Sequence, residues 1–355
     1  MRKFATSRAI TPLLLLFLFF LATNLVLSPT IHAQAPFYQG KSIKLIAGTQ
    51  AGSLADLWPR LIADHMGKHI AGNPSIVVQN MPGAGGVIAA NYVYSVAKPD
   101  GLTLGTASPS IYMDQIVGRK EIQFDWARFN WIGSPEQYDY VFIMRGDSPY
   151  KSIDDIRKAT EPPKCGAPGT GSHFYQIPKL MEETLAAKFF IVTGYQGAAD
   201  VDVAVERGEV HCRTVTVTAY FGREPFLSWG KNRFVRPLVQ TGRKPSPSLP
   251  EVPTIYALMD LYKTPEVGRR LATLILAPGE FGRPMMAPPG VPAERVKILR
   301  EALNKTLRDP ELLAAAKKRD WPVSPVAGEE LEPLAKEVIA QPPEVVQRLK
   351  KILGE

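Results

Sequence analysis

Residues 75–106 read SIVVQNMPGAGGVIAANYVYSVAKPDGLTLGT, and this stretch decides the fold. Residues 75–79 are rich in β-branched side chains, which reads as a strand. Asn80-Met81-Pro82-Gly83-Ala84-Gly85-Gly86 interrupts it with turn residues, and residues 87–96 continue as an apolar helix. Lys98-Pro99-Asp100-Gly101 is a turn, and residues 102–106 form the next strand. Strand, loop, helix, strand is the grammar of a parallel α/β unit. Its loops gather at the carboxyl ends of the strands, where open sheets bind ligands.

The same grammar extends both ways. Upstream, residues 42–47 (SIKLIA) form a strand, 48–53 a Gly/Ser loop, and Leu57, Leu61, Ile62 and Met66 share one helix face. Proline is tolerated in a first helical turn, so Pro59 favours Asp56 over Ser53 as the N-cap. Downstream, residues 140–144, 189–193, 210–218 and 235–241 read as strands. Ser152 with Asp155 opens a helix in the manner of a capping box. Residues 165–172 (CGAPGTGS) and 194–198 (GYQGA) are further glycine loops, leading into helices near 175–185 and from 201. After Pro288-Pro289-Gly290-Val291-Pro292, helices are expected near 293–307, 310–318 and 343–353. Four glycine loops, two in each half, imply two lobes facing one cleft.

A chain of 355 residues has room for two domains. An apolar fraction of 45% with 21% charge excludes an intrinsically disordered chain. The single long apolar run excludes a polytopic membrane protein. That run, residues 13–22, follows Arg2, Lys3 and Arg8 and precedes small residues at Ala33 and Ala35. It reads as a secretory signal peptide, residues 1–33, cleaved after Ala33, with an uncleaved anchor as the alternative. Without it the chain carries 39 cations against 34 acids, too slight and dispersed an excess to suggest nucleic acid. The basic clusters at 317–319 and 348–351 read as solvated helix faces. Export makes Cys165 and Cys212 oxidisable, and whether they pair stays open.

Helix N-termini present unpaired N–H groups and partial positive charge, and glycine lets backbone donors curl around an anion. Residues 83–86 are therefore a candidate carboxylate or phosphate cradle, a ligand-free tight turn being the alternative. Enzyme motifs fail one by one. Ile88 breaks a dinucleotide fingerprint, and Gly40-Lys41-Ser42 precedes its strand instead of following it. Ser95–Lys98 and Ser148–Lys151 have S-x-x-K spacing without the companion motifs. His65 and His69 lie four apart with no third ligand in view, and suit a helix C-terminus better than a metal. His173 reads as a loop histidine. No nucleophile, base and orienting group assemble, which favours a binder without metal or cofactor over a catalyst.

The residues resemble the periplasmic substrate-binding proteins of tripartite tricarboxylate transporters, the Bug or TctC family. Asn80–Gly86 continued by Ala97-Lys98-Pro99-Asp100-Gly101-Leu102-Thr103-Leu104 is similar to that family's N-x-P-G-A-G-G…A-x-P-D-G-x-T-L run. Gly52…Asp56…Arg60, Ala167-Pro168-Gly169-Thr170-Gly171-Ser172, Tyr195-Gln196-Gly197 with Gly208-Glu209-Val210, and Ser248–Thr254 are similar to its remaining motifs. The resemblance implies a two-lobed α/β clamp of the type II-like periplasmic kind, hinged at two crossover strands. Lobe 1 would comprise residues 34–138 and 239–355, and lobe 2 residues 139–238. The clamp would hold a small organic carboxylate and deliver it, as a monomer, to membrane permease subunits.

On this pattern Thr49, Gln50, Gly52, Ser53, Gly85, Gly86, Val87 and Ser108 form the first-lobe grip, with Asp56 capping a helix at its edge. Thr170, Gly171, Ser172, His173, Gln196, Gly197 and Ala198 form the opposing grip. Main-chain dipoles, more than a side-chain cation, are expected to hold the anion, and Gly86→Val to remove binding while sparing the fold. Ser53, Thr49-Gln50, Val87, Gln196 and Val215 depart from the family's usual residues, so the rest of the ligand is expected to differ. An exported hydrolase or transferase on a similar scaffold and an orphan sensory receptor remain as alternative readings.

Overall fold

The computed structural model describes residues 35–354; the expected leader, residues 1–33, lies outside them, as do Gln34 and Glu355. The chain begins with β1 (Ser42–Ala47), α1 (Leu54–Met66), β2 (Ser75–Asn80), α2 (Val87–Ser95), β3 (Thr103–Thr106), α3 (Tyr112–Val117) and β4 (Asn130–Ser134). It crosses to β5 (Tyr140–Arg145), α4 (Ile153–Lys158), β6 (Lys164–Ala167), α5 (His173–Leu185), β7 (Phe190–Thr193) and α6 (Ala198–Arg207). There follow β8 (Cys212–Thr216), the short α7 (Val217–Gly222) and α8 (Phe226–Lys231), and β9 (Val235–Gln240). It returns through α9 (Ile255–Leu261), α10 (Glu266–Phe281), β10 (Met285–Ala287), α11 (Ala293–Thr306) and α12 (Pro310–Lys317). The last elements are β11 (Val326–Ala327), α13 (Gly328–Ile339) and α14 (Pro343–Leu353).

Two sheets result, ordered β11-β4-β10-β3-β1-β2 and β7-β6-β8-β5-β9. The two-lobed α/β architecture expected from the sequence is present. β1 pairs in parallel with β2 and β3, placing Leu45 opposite Val78 and Leu104. The glycine loops after β1 and β2 therefore emerge side by side, as do those after β6 and β7.

The sheets are mixed where parallel units were expected. β5 runs antiparallel to β8 and β9, and β10 antiparallel to β3 and β4. Local grammar reports βαβ units but not a three-residue strand supplied from far along the chain. The strand expected to reach residue 218 stops at Thr216, whose hydroxyl accepts a hydrogen bond from the Ala219 N–H at 3.2 Å. That cap outweighs the β-propensity of Val217 and Thr218 and starts α7. α10 is buried on every side over residues 271–277, and its charged residues, Glu266, Arg269, Arg270 and Glu280, lie toward its two ends.

One core contains Ile43, Leu45, Trp58, Ile62, Leu104, Leu299 and Leu303, with α1 and α11 against the first sheet. A second joins α2, α13 and the Trp126–Trp131 pair (ring centroids 4.5 Å apart) to α10, α14 and α5. The returning helices thus lean on the second sheet's layer. The Tyr262 hydroxyl donates to Asp154 Oδ1 at 3.0 Å, and Arg348 lies 3.2 Å from Glu183. Cys165 and Cys212, paired across β6 and β8, form a buried disulfide, which settles the open pairing.

Candidate ligand-binding cleft

The first loop is organised by one carboxylate. Ser53, not Asp56, is the N-cap of α1: its Oγ accepts from the Asp56 N–H at 3.3 Å. Pro59 therefore sits in the second turn. Its missing donor leaves the Ala55 carbonyl without its usual helical partner, on a residue exposed to solvent. Asp56, 1% exposed, accepts from Gly52 N (2.8 Å), Arg60 Nε (2.9 Å) and Asn80 Nδ2 (2.6 Å). Asn80 also donates to the Thr49 carbonyl at 3.1 Å and accepts from Arg60 Nη2 at 2.7 Å. Loop 48–53, α1 and the end of β2 are locked together.

The Arg60 hydrogen bond, helped by those from Gly52 and Asn80, outweighs burial and lowers the Asp56 pKa to about 2. Because this lies below the unfolded value, the contribution is complete above about pH 4 and lost as pH falls toward 2. Asp56→Asn is expected to cost about 1–3 kcal/mol at neutral pH. It should also flatten the acid limb of the stability curve, which melts between pH 2.5 and 7 would measure. An unchanged acid limb would contradict this role.

Gly85 and Gly86 follow in the second loop at φ 63° and 103°, the left-handed region. A Cβ on Gly86 would lie 3.2 Å from Ser108 N and 3.3 Å from the Gly48 carbonyl oxygen. The loops after β1, β2 and β3 are therefore in backbone contact there. This overturns the expectation that Gly86→Val spares the fold: valine would be strained in dihedral and crowded by backbone. Val87 is buried in the core, 5% exposed. A Cβ on Gly85 would meet open space.

Gly48, Thr49, Ala55, Trp58, Gly85 and Ser108 line a cavity of about 300 Å³, together with Pro135, Gly282, Arg283 and Met285. Trp58 and Arg283 also line a larger middle cleft of about 930 Å³, with Tyr138, Tyr140, Thr216, Arg223 and Trp321. Thr216, Ala219 and Arg223 in turn border a third hollow of about 630 Å³ with His173, Ala198, Arg213 and Phe226. The shared walls join the three into one groove reaching from the carboxyl edge of the first sheet to that of the second.

The groove's middle carries Arg223, Arg283, Lys317 and Arg319 against Glu136 and Asp320, an excess of positive charge that attracts anions. Arg283 is paired with Glu136 at 2.9 Å. Arg213 is buried, paired with Asp202, bonded to the Ala198 carbonyl at 3.1 Å and stacked over Phe174. Burial lowers its pKa to about 9. His173 is not a loop residue: it opens α5 with its ring stacked on Tyr140 at 4.3 Å. Burial, with Arg213 nearby, pushes its pKa down to about 3, so the ring is neutral at physiological pH.

Of the residues singled out from the sequence, Thr49, Gly85 and Ser108 meet at the first cavity, and His173 and Ala198 at the third. Gln50, Gly52, Ser53, Asp56, Gly86 and Val87 support or flank the first loops without lining it. Thr170, Gly171, Ser172, Gln196 and Gly197 lie on the second lobe's loops, outside the lining. Trp58, Tyr138, Tyr140, Arg223, Arg283 and Trp321 carry no motif, and only folding brings them together. Beside His65 and His69 stand Asp309 and Glu311, but the Lys68 ammonium lies 2.7 Å from both carboxylates, where a cation would sit.

A family model described as the tripartite tricarboxylate transporter family receptor matches residues 59–350. A relative from Cupriavidus necator, the UPF0065 protein in gbd 5'region, is 28% identical over 326 residues, 90% of each chain. A solved TctC solute binding protein from Polaromonas, with no ligand, superposes with a TM-score of 0.70 at 20% identity, covering 88% of this chain and 99% of that one. A structure from R. palustris with adipate superposes with a TM-score of 0.55 at 21% identity, covering 89% and 98%.

Proposed function

Since this chain belongs to the tripartite tricarboxylate transporter receptor family, we propose that it is a periplasmic receptor whose groove captures a small organic carboxylate and presents it to that transporter's membrane subunits. The observation that carries this reading is the convergence of the loops after β1, β2 and β3 on one cavity bordered by Thr49, Gly85 and Ser108. Backbone donors on such loops suit a carboxylate. The R. palustris protein of the same fold, with adipate, supports that ligand class.

Gln50, Gly52, Ser53, Gly86 and Val87 shape this first grip, and His173 and Ala198 face it from the second lobe. Closure about β5 and β9, with residues 34–138 and 239–355 moving against 139–238, would bring residues 170–172, 196 and 197 toward the ligand. Family and fold are those of solute-binding receptors, and we assign the chain no catalytic step. A thermal-shift screen of the mature chain against mono-, di- and tricarboxylates, aliphatic and aromatic, tests this. One carboxylate class should raise the melting temperature; stabilisation by none, or turnover of any by the pure protein, would contradict it.

A further inference from the structure

We propose that Arg213 and Thr214 are positioning residues of the second-lobe grip: adjacent on β8 and buried, they fix the starts of α5 and α6 and thereby set ligand affinity. The inference rests on the reading above, in which His173 and Ala198, the first residues of those helices, face the ligand. Strand order places them. The second sheet runs β7-β6-β8, with both neighbours parallel to β6. The connection from β6 to β7 steps one way across the sheet, and that from β7 to β8 steps back over β6. Right-handed crossovers then put α5 on one face and α6 on the other. The cores agree: Leu180 of α5 packs with Phe142, whereas Ala204 of α6 packs with Val141 and Ile143. Where strand order reverses, between β6 and β8, a crevice opens at the carboxyl ends of the strands. It is the hollow bordered by His173, Ala198 and Arg213.

Successive side chains of a strand point to opposite faces, so Thr214 reaches α5 and Arg213 reaches α6. Thr214 is fully buried, and its hydroxyl donates to the His173 carbonyl at 3.2 Å. Arg213, 3% exposed, donates from Nη1 to the Ala198 carbonyl at 3.1 Å and pairs with Asp202, one turn further along α6. Its guanidinium lies over the rings of Phe174 and Phe226, 4.6 and 5.1 Å from their centroids. An apolar side chain would fill that space without the cost of burying a charge. What the arginine adds is a hold on the Ala198 carbonyl. One strand thus ties down both helix starts, and a shift of either would move the groove's second wall.

Calorimetric titration of the mature chain with succinate, adipate, citrate and benzoate tests this, the variants being compared on the acid that the wild type binds most tightly. Thr214→Val keeps the side chain's shape without the hydroxyl and should weaken that acid about 3- to 10-fold. Thr214→Ser should bind it as the wild type does. Arg213→Met combined with Asp202→Asn leaves no acid unpaired. This double variant should bind about 10-fold or more weakly at a melting temperature close to the wild type's. A valine or methionine variant as tight as the wild type, or a serine variant no tighter than the valine one, would overturn the positioning role and leave carboxylate binding standing. So would a melting temperature that falls in step with affinity, the mark of general destabilisation. A wild type that binds none of the four acids would overturn both.

Discussion

Ala55→Phe is expected to abolish carboxylate binding while leaving the fold intact. Ala55 is the second residue of α1, exposed, and part of the wall of the 300 Å³ cavity with Gly85 and Ser108. An aromatic ring there occupies the space proposed for the ligand's carboxylate and leaves the left-handed glycines themselves unsubstituted. The helix-propensity cost of phenylalanine is at most about 0.7 kcal/mol. A ligand at one hundred times its Kd stabilises the wild type by about 2.7 kcal/mol, and that increment should vanish in the variant. Thermal melts with and without ligand measure both effects together. A variant that still gains the full increment would place the ligand elsewhere.

Replacing both cysteines, Cys165→Ser with Cys212→Ser, is expected to produce the largest loss of stability. The bond closes a sequence separation of 47 residues, which in the chain-entropy picture stabilises by about 4 kcal/mol. For a chain of this size that corresponds to a drop in melting temperature of roughly 6 °C. β6 leads toward His173 and β8 ends at Thr216, both on the groove, so the bond also fixes the strands that present the second wall. The oxidised wild type should melt well above the variant, and reductant should lower only the wild type. Equal melting temperatures would show that β6 and β8 hold together without it.

The sequence revealed the local units better than their assembly. Residues 75–106 announced β2, α2 and β3 because turn glycines, a proline and β-branched runs act on their nearest neighbours. Ser152 and Asp155 likewise form the capping box they suggested. β10 and α10 stayed hidden, one being three residues long and the other buried on most sides. Asp56 was misplaced by one rule, proline's position in a helix, when its worth lay in contacts with Asn80, twenty-four residues away. The same limit applies to the groove. Loops carrying glycine motifs could be marked in advance, whereas Trp58, Tyr140, Arg223 and Arg283 meet only through the sheet order and the returning chain. The emphasis on main-chain donors consequently left out the cations that give the middle of the groove its charge.

A crystal structure of the mature chain with the carboxylate that stabilises it most would show which groups hold the ligand. One carboxylate of the unaltered ligand should lie on backbone N–H groups of the loops beside Thr49, Gly85 and Ser108. A ligand held only by the guanidinium of Arg283 or Arg213, with those loops uninvolved, would contradict it.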